Sequence, residues 1–524
     1  MITGSSSSEQ SPLHNESESQ WSQASSGLWV PKTPRPAQHQ PSPLDYQGWK
    51  RYWAEHGWPW RREPEITHVR QKELAQRRAI PVNKNSGIYP FGGMTLTRAD
   101  IEWLLATHEG GQGPVNWSDV SQQARWGLDL RGAVVSEKTD LSMLPLARLR
   151  GGLSFGEIAG WLPKEPRACD LICLKHVDLG AVHLEGARLR GAYLEGADLS
   201  DAHLEGADLD SAHLEGADLR EVHLEGADLR EVHLEGANLW GAYLKEPNLW
   251  GAHLEGAILR AHLEGADLQE AHLEGADLQE AHLGGANLSR ASLASVNLTG
   301  VTLANATGVG PSLVDVNWGE TNLSVVDWSH VQTLGDEFYA RQPVGTDPWG
   351  EPWKKTRADR REDYQEAHRA NHQLAVVLQS QGLVDDAARF AYHAKCSKRT
   401  VFWYDLLLAQ TMRKRFHMIW PLLFSWVLFL LAGYGYRLRR CLSWYIGIVL
   451  AFTLLYWWLD PVQFPWWVAL GESVNVFHGR GAAPTIAQLA HPVWFTLFTV
   501  VEALIGLLIE VVFVATMIQR LFGK

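Results

Sequence analysis

The sequence predicts a mainly β repeat rod joined to an α-helical collar and an α-helical transmembrane hairpin. Three observations predict it. From residue 174 to 259 a leucine recurs at every fifth position, and after one missing residue near Arg260 the beat resumes from Leu263 to Leu303. Between 351 and 440, sixteen basic residues stand against eight acidic ones. Residues 441–459 then run for 19 positions without a charge, enough at ~1.5 Å per residue to cross a ~30 Å hydrocarbon core.

Residues 1–45 are rich in Ser, Gln and Pro and lack apolar periodicity, the composition of a disordered tail. They have no basic start followed by an apolar core, so no ordinary signal peptide is expected. Residues 46–135 read as a Trp-rich head, with Trp49, Tyr52, Trp53, Trp58 and Trp60 crowded around Gly57 and Pro59. Thr97-Arg98-Ala99-Asp100 has the spacing of a capping box that opens a helix. The head serves either as an aromatic partner surface or as the cap that the open end of a solenoid needs.

In the five-residue units, leucine and the small residue two before it point inward, and the other three positions face water. Four units turn through a square, and squares stack at the ~4.8 Å strand spacing. Ala197-Asp198-Leu199, Ala217-Asp218-Leu219, Ala237-Asn238-Leu239 and Ala286-Asn287-Leu288 carry the motif. On these units the sequence resembles the pentapeptide-repeat family. The resemblance implies a right-handed quadrilateral β-helix over 136–330, clearest over 174–303. Looser units continue through Leu313, Trp318, Leu323 and Trp328, roughly eight coils or about 38 Å in all.

A ten-residue period lies over the five. It should stack His183, His203 and His223 on one face and His213, His233 and His253 on the opposite one, with Glu205 and Glu225 beside the first set. Such columns can titrate near neutrality or ligate a metal. Nothing in the pattern makes them converge on a pocket, so no metal and no cofactor is expected. Cys169-x3-Cys173 with His176 also lacks a fourth ligand. The missing residue at Arg260 predicts a bulge or a skipped corner.

The whole chain carries −12, whereas residues 181–290 alone hold 22 acids and seven bases. Acidity therefore belongs to the repeats, which points to a protein partner on their faces and away from direct nucleic-acid binding. Four scattered cysteines fit reduced thiols better than a disulfide framework.

Residues 331–356, with Pro343, Gly345, Pro348, Gly350 and Pro352, read as a linker. Residues 357–415 form a basic helical collar facing a membrane. The apolar run 416–436 has Arg413-Lys414-Arg415 before it and Arg437, Arg439 and Arg440 after it. Positive charge at both ends suits an interfacial or re-entrant helix. Segments 441–459 and 493–518 are transmembrane helices, and 460–492 faces outward or re-enters. This layout places the chain in the plasma membrane with head and repeats in the cytoplasm.

Helix, re-entrant segment, helix resembles the two-helix pore module of potassium channels. Ala469-Leu470 and Ser473-Val474 fall where a pore helix would, and Phe477, His478, Gly479, Arg480 and Gly481 fall at the filter. The family's T-V-G-Y-G, whose carbonyls replace the ion's water, is missing, and Arg480 would repel cations. Glu502, Gly506 and Glu510 share one face of the last helix at i, i+4 and i+8. Intramembrane acids cost at least ~2.5 kcal/mol each and face protein or water. They line an ion path, or they are protonated or paired with Arg480 or His478 at an oligomer seam.

The sequence holds no phosphate loop, nucleophile elbow or HExxH, so an enzyme is not expected. Head, repeats and tail together resemble bacterial membrane proteins that join pentapeptide repeats to a channel-like tail. The expected function is a membrane-anchored, non-enzymatic interaction scaffold or sensor, contacting lipid and self-associating through its hairpin. Two alternatives stand beside it: an ion channel with a divergent filter, and a DNA-mimicking topoisomerase binder such as the family contains.

Overall fold

The computed structural model describes residues 40–83, 88–153, 171–346, 352–436, 438–462, 464–479 and 492–522, with two short paired strands at Trp21–Gln23 and Trp29–Pro31. The expected disordered tail lies mostly outside these residues. The chain divides into two units, Met1–Ala281 and His282–Lys524.

The first unit opens with three helices. α1 (Tyr46–Glu55) starts at Asp45, whose carboxylate accepts from the Gly48 amide, and buries Trp49, Tyr52 and Trp53. α2 (His68–Arg78) is capped by Thr67. α3 (Arg98–Ala106) begins with the reciprocal Thr97–Asp100 box expected from the sequence. Such a box satisfies amides that the helix itself leaves unbonded. Just before α3, Thr95–Leu96 pairs in parallel with Val134–Val135. Val134 bridges in turn to Cys173, so the head supplies a strand to the first edge of the coils. Covering that edge removes a template for aggregation.

The coils follow with a strict register. Cys173 bridges Tyr193, Asp178 bridges Asp198, His183 bridges His203 and Arg188 bridges Asp208. Four bridges at an offset of twenty residues make a four-sided coil. Leu204 N donates to His223 O at 2.8 Å, and His223 N donates to Ala202 O at 2.9 Å. Every leucine from 174 to 259 is at most 2% exposed, and the small residues two before them are buried too. Leucine fills the interior because burying it is worth ~1.5–3 kcal/mol per side chain. Each corner closes with a bond such as Ala207 N to Leu204 O at 3.0 Å, and the residue before the bend's exit takes a left-handed φ. Gly206 (φ 66°) suits this at no steric cost, whereas Asp201 (57°) and Glu221 (55°) adopt it with a side chain.

At Arg260 the corner is one residue short. Ala261 N bonds to Leu259 O at 2.9 Å, and the offset falls from twenty to nineteen, with Tyr243 bridging His262. The skipped corner leaves the inward leucines in register.

In the second unit His282 bridges Thr302 at an offset of twenty and Asn287 bridges Ser312 at twenty-five. A turn closed by Gly308 N to Asn305 O at 2.9 Å accounts for the longer step. Leu313, Trp318, Leu323 and Trp328 are buried, as their place in the repeat requires.

The linker expected at 331–356 is instead structured. α4 (Gly335–Arg341) buries Gly335, Asp336, Glu337 and Ala340, and Val344–Thr346 pairs with Pro352–Lys354. Gly345 and Pro352 lie within these paired strands. α5 (Arg357–Ser380) carries a second capping box at Thr356 and Asp359. It packs against α6 (Val384–Leu408), with Gly382 at φ 82° between them.

Three helices are long and apolar enough to cross a membrane, with candidate spans at Met412–Ala432, Arg439–Leu459 and Val493–Ile518. They belong to α7 (Met412–Ala432), α8 (Leu438–Leu459) and α10 (Pro492–Phe522). The run expected to be interfacial or re-entrant, 416–436, is the body of α7, one continuous helix stopped by Gly433 at φ 53°. The Arg399 guanidinium of α6 lies 3.9 Å from the Phe429 ring centre and 4.4 Å from that of Trp426. This cation sits over the rings of the C-terminal half of α7. Between α8 and α10 the chain forms a short helix, α9 (Trp466–Phe477).

Candidate functional site

The described residues bring the predicted site residues together in two places: the outer faces of the coils and the packing of α8, α9 and α10.

On the coils, ring stacking is regular. His183 and His203 have centroids 4.8 Å apart with planes 3° from parallel, and His203 and His223 are 4.9 Å apart. On the opposite face Tyr193, His213, His233, His253 and His272 form a second stack at 4.7–5.2 Å. His and Glu at i and i+2 of one strand point to the same side. Each imidazole therefore meets its own glutamate: Nδ1 to Oε1 is 2.8 Å for His183–Glu185, 3.3 Å for His203–Glu205, 3.1 Å for His213–Glu215 and 3.3 Å for His233–Glu235. At the first of these, the hydrogen bond from Glu185 raises the His183 pKa. Glu205 and Glu225 stand beside the first column as expected, with His223 Nδ1 3.6 Å from Glu225.

The two remaining faces carry aspartates, and arginines answer them. Arg190 reaches Asp210 at 2.8 Å, Arg220 reaches Asp218 at 2.6 Å, and Arg230 bridges Asp210 and Asp228. Burial, with Asp228 nearby, raises the Asp208 pKa. The acidic surface is thus broken by guanidinium groups, a pattern that residue counts alone do not show. In the column of Arg220, where Glu221 N bonds to Trp240 O and Gly241 N to Arg260 O, Trp240 is 50% exposed, and Tyr243 nearby is 44% exposed.

In the apolar helices the acidic face of α10 is engaged. Glu502 is completely buried and accepts hydrogen bonds from Tyr456 of α8 and Ser473 of α9. Gly506 packs so closely that an added Cβ would lie 2.1 Å from the Phe477 carbonyl oxygen. Glu510 pairs with His478, whose other nitrogen is 3.2 Å from the Tyr445 hydroxyl. Phe477 is buried against the Tyr445 ring at 4.8 Å, and Gly479 turns the chain at φ 66°. Arg480 and Gly481 lie outside the described residues, as does Cys169. The i, i+4, i+8 face is therefore the seat of α9 and its C-terminal turn.

Sequence reasoning missed two glutamines. Gln373 of α5 accepts from the Asp315 amide at 3.0 Å and donates to the Asp315 carboxylate at 2.9 Å. Gln381 accepts from Leu323 N and donates to Thr321 O, both at 2.7 Å. They satisfy backbone groups on the last coils, so the basic collar is also a lid on the repeat edge.

Asp336 of α4 accepts from the Leu313 amide at 2.7 Å, and burial pushes its carboxyl up to about 7. In the unfolded chain it ionises near ~3.9. Between pH 4 and 7 the folded unit holds the extra proton, so this group lowers stability as pH rises through that window. Asp336→Asn should remove the slope. Relative to the variant, the wild type is expected to lose about 3 kcal/mol between pH 4 and 7, read as diverging thermal midpoints in detergent.

A four-sided stack of five-residue strands followed by three helices long and apolar enough to span a membrane defines a β-helix protein with a helical tail. The family pattern described as pentapeptide repeats matches in eight copies over residues 172–210, 187–226, 223–260, 260–293 and 271–307. The chain thus carries a pentapeptide-repeat segment over 172–307. Solved structures similar to it include HetL, a pentapeptide repeat protein involved in heterocyst differentiation regulation in the cyanobacterium Nostoc, at 28% identity. That match covers 37% of this chain and 81% of HetL, with a TM-score of 0.19. QnrB1, a plasmid-mediated fluoroquinolone resistance protein, is 18% identical over 38% of this chain and 82% of its own, with a TM-score of 0.18. A thylakoid-lumen pentapeptide repeat protein of Arabidopsis thaliana is 28% identical over 20% and 70%, with a TM-score of 0.09. A search of curated proteins finds no match.

Proposed function

We propose that this is a membrane-anchored, non-enzymatic scaffold whose repeat faces hold a cytoplasmic protein partner. The observation that carries the reading is Trp240, half exposed on a column it shares with Arg220 and Arg260. Trp and Arg are the residue types that dominate binding hot spots, and a rod that needs only solubility has no use for an exposed indole. The basic residues around 413–415 and 437–440 favour the cytoplasmic side. The apolar outer faces of α8 and α10 suit lipid or a second copy, since only 17–22% of each candidate span is buried. Arginines interleaved with Asp210, Asp218 and Asp228 weigh against a DNA mimic, which would present uninterrupted acid.

A photo-crosslinker at Tyr243 in native membranes tests the reading. A discrete protein adduct that Trp240→Ala depletes at least ~10-fold, about 1.4 kcal/mol of binding, is the expected result. Lipid adducts alone would sink it. A second reading, an ion-conducting pore, draws support from the order long helix, short helix, long helix. The engaged Glu502 and Glu510 count against it, and ion flux through liposomes carrying the purified chain would restore it.

A further inference from the structure

The two His–Glu columns differ from the Asp faces in how their charge is met. Arg190, Arg220 and Arg230 neutralise the aspartates. Along the second column Lys175 pairs with Glu195, and Tyr193 takes the histidine position there. Below that level Glu215, Glu235, Glu255 and Glu274 each pair with the imidazole of their own strand. Carboxylates repeated at the ~4.8 Å coil spacing repel one another, and a neutral imidazole supplies no compensating charge.

Each of these glutamates also leaves its second oxygen unused. Oε2 of Glu205, Glu215, Glu225, Glu235, Glu255 and Glu274 is buried with no hydrogen-bond partner, as it is at Glu185 and at the Lys175-paired Glu195. A buried unsatisfied carboxylate oxygen is costly, and here it recurs at every level. The sites remain open outward, with His213 and His233 side chains about one-third exposed.

Distances point to what is missing. Nδ1 to Oε1 separations of 3.1–3.3 Å at His203, His213 and His233, rising to 3.6–4.0 Å at His223, His253 and His272, are long for a charge-assisted hydrogen bond; the shorter set is the one that a metal can occupy with least movement. Its separations match the gap of about 3.3 Å between two ligands of a tetrahedral ion with ~2.0–2.1 Å bonds. The third donor comes from the next coil: His203, Glu205 and His223 hold their ligand atoms within 4.8 Å of one another. So do His213, Glu215 and His233; His233, Glu235 and His253; and Glu255, His272 and Glu274.

We propose that the His–Glu columns are ladders of binding sites for a divalent first-row transition metal, Zn²⁺ being the natural occupant. Imidazole with carboxylate suits Zn²⁺, Ni²⁺ or Co²⁺ over Mg²⁺ or Ca²⁺. Each ion takes a His–Glu pair from one coil and a donor from the next, leaving at least one position for water or a partner's side chain. The metal replaces the Nδ1 proton and adds the charge that the glutamate column lacks. Binding therefore links successive coils along both opposite faces. The sequence alone led to the expectation of no metal, because nothing in the pattern makes the columns converge on a pocket.

The test uses the untagged full-length protein in detergent, stripped with chelator and dialysed against Zn²⁺ or Co²⁺. Several ions should bind per chain at saturation, and Co²⁺ should give visible absorption bands of imidazole–carboxylate coordination. His233→Asn, which removes the histidine common to two groups that cannot both use it at once, should lower the bound count by about one. The isosteric Glu235→Gln should lower it by about one without altering the circular dichroism. Asp218→Asn and Asp228→Asn, on the Arg-matched faces, should change nothing. Binding no higher than background would overturn the proposal. So would a count indifferent to Glu235→Gln, or columns that respond only to protons, with Zn²⁺ leaving the thermal midpoint unmoved at pH 7.5.

Discussion

Glu102→Leu is expected to destabilise the first unit by about 3–5 kcal/mol, the cost of breaking a buried ion pair from one side. Glu102 is completely buried. Its carboxylate takes Arg98 Nε at 2.8 Å and the backbone amides of Arg62 and Glu63, each at 3.0 Å. Burial, opposed by Arg98 and Arg61, raises its pKa. Arg98 goes on to the Asp140 and Ser142 carbonyls at 2.8 and 3.1 Å, and Arg62 pairs with Asp140. One carboxylate thus ties the head to the first coils, and leucine would strand the buried Arg98 guanidinium. Limited proteolysis and thermal melting of the full chain check this. Ordinary melting with an intact head would show that the ion pair is dispensable. Glu102→Gln, which keeps the acceptor oxygen, should lose less.

Gly506→Ala should loosen the membrane unit by about 1–3 kcal/mol, the usual range for overpacking. The added methyl would meet the Phe477 carbonyl oxygen at 2.1 Å and its Cα at 3.1 Å, and these backbone atoms cannot swing aside like a side chain. α9 must therefore retreat from α10, weakening the bonds of Glu502 to Ser473 and of Glu510 to His478. Ala469→Cys, buried among Tyr456, Phe464 and Phe495, reports the change in a background without other cysteines. It should resist a thiol reagent in the parent and react in the Gly506→Ala form. Equal reactivity in both would mean that α9 is not seated by this glycine.

The repeat segment was legible because it is coded locally and redundantly. Leu at every fifth position states which side chain faces inward, and the coil offset of twenty follows from four such units. Periodicity also places His203 over His223 and His213 over His233, as the ring stacks confirm. Length and apolarity alone marked the spans within α8 and α10. The linker was misjudged because Pro and Gly report on turns and not on burial: Leu334 and Ala340 are fully buried around α4. The roles of Gln373 and Gln381 were hidden because each reaches a backbone group about 60 residues away, and no local pattern encodes a contact closed over such a loop.

What the sequence by itself determined, then, is the periodic part: the inward leucines, the His–Glu columns, the Asp faces, and the apolar lengths that suit a bilayer. The tertiary structure decided which groups complete one another. It seated α9 on the Glu502, Gly506 and Glu510 face, gave arginines to the aspartates, and left Oε2 of the column glutamates without partners. A period specifies the direction of a side chain relative to its own strand or helix. Whether its polar atoms are satisfied depends on neighbours brought in from distant segments, and that is known only once the chain has closed on itself.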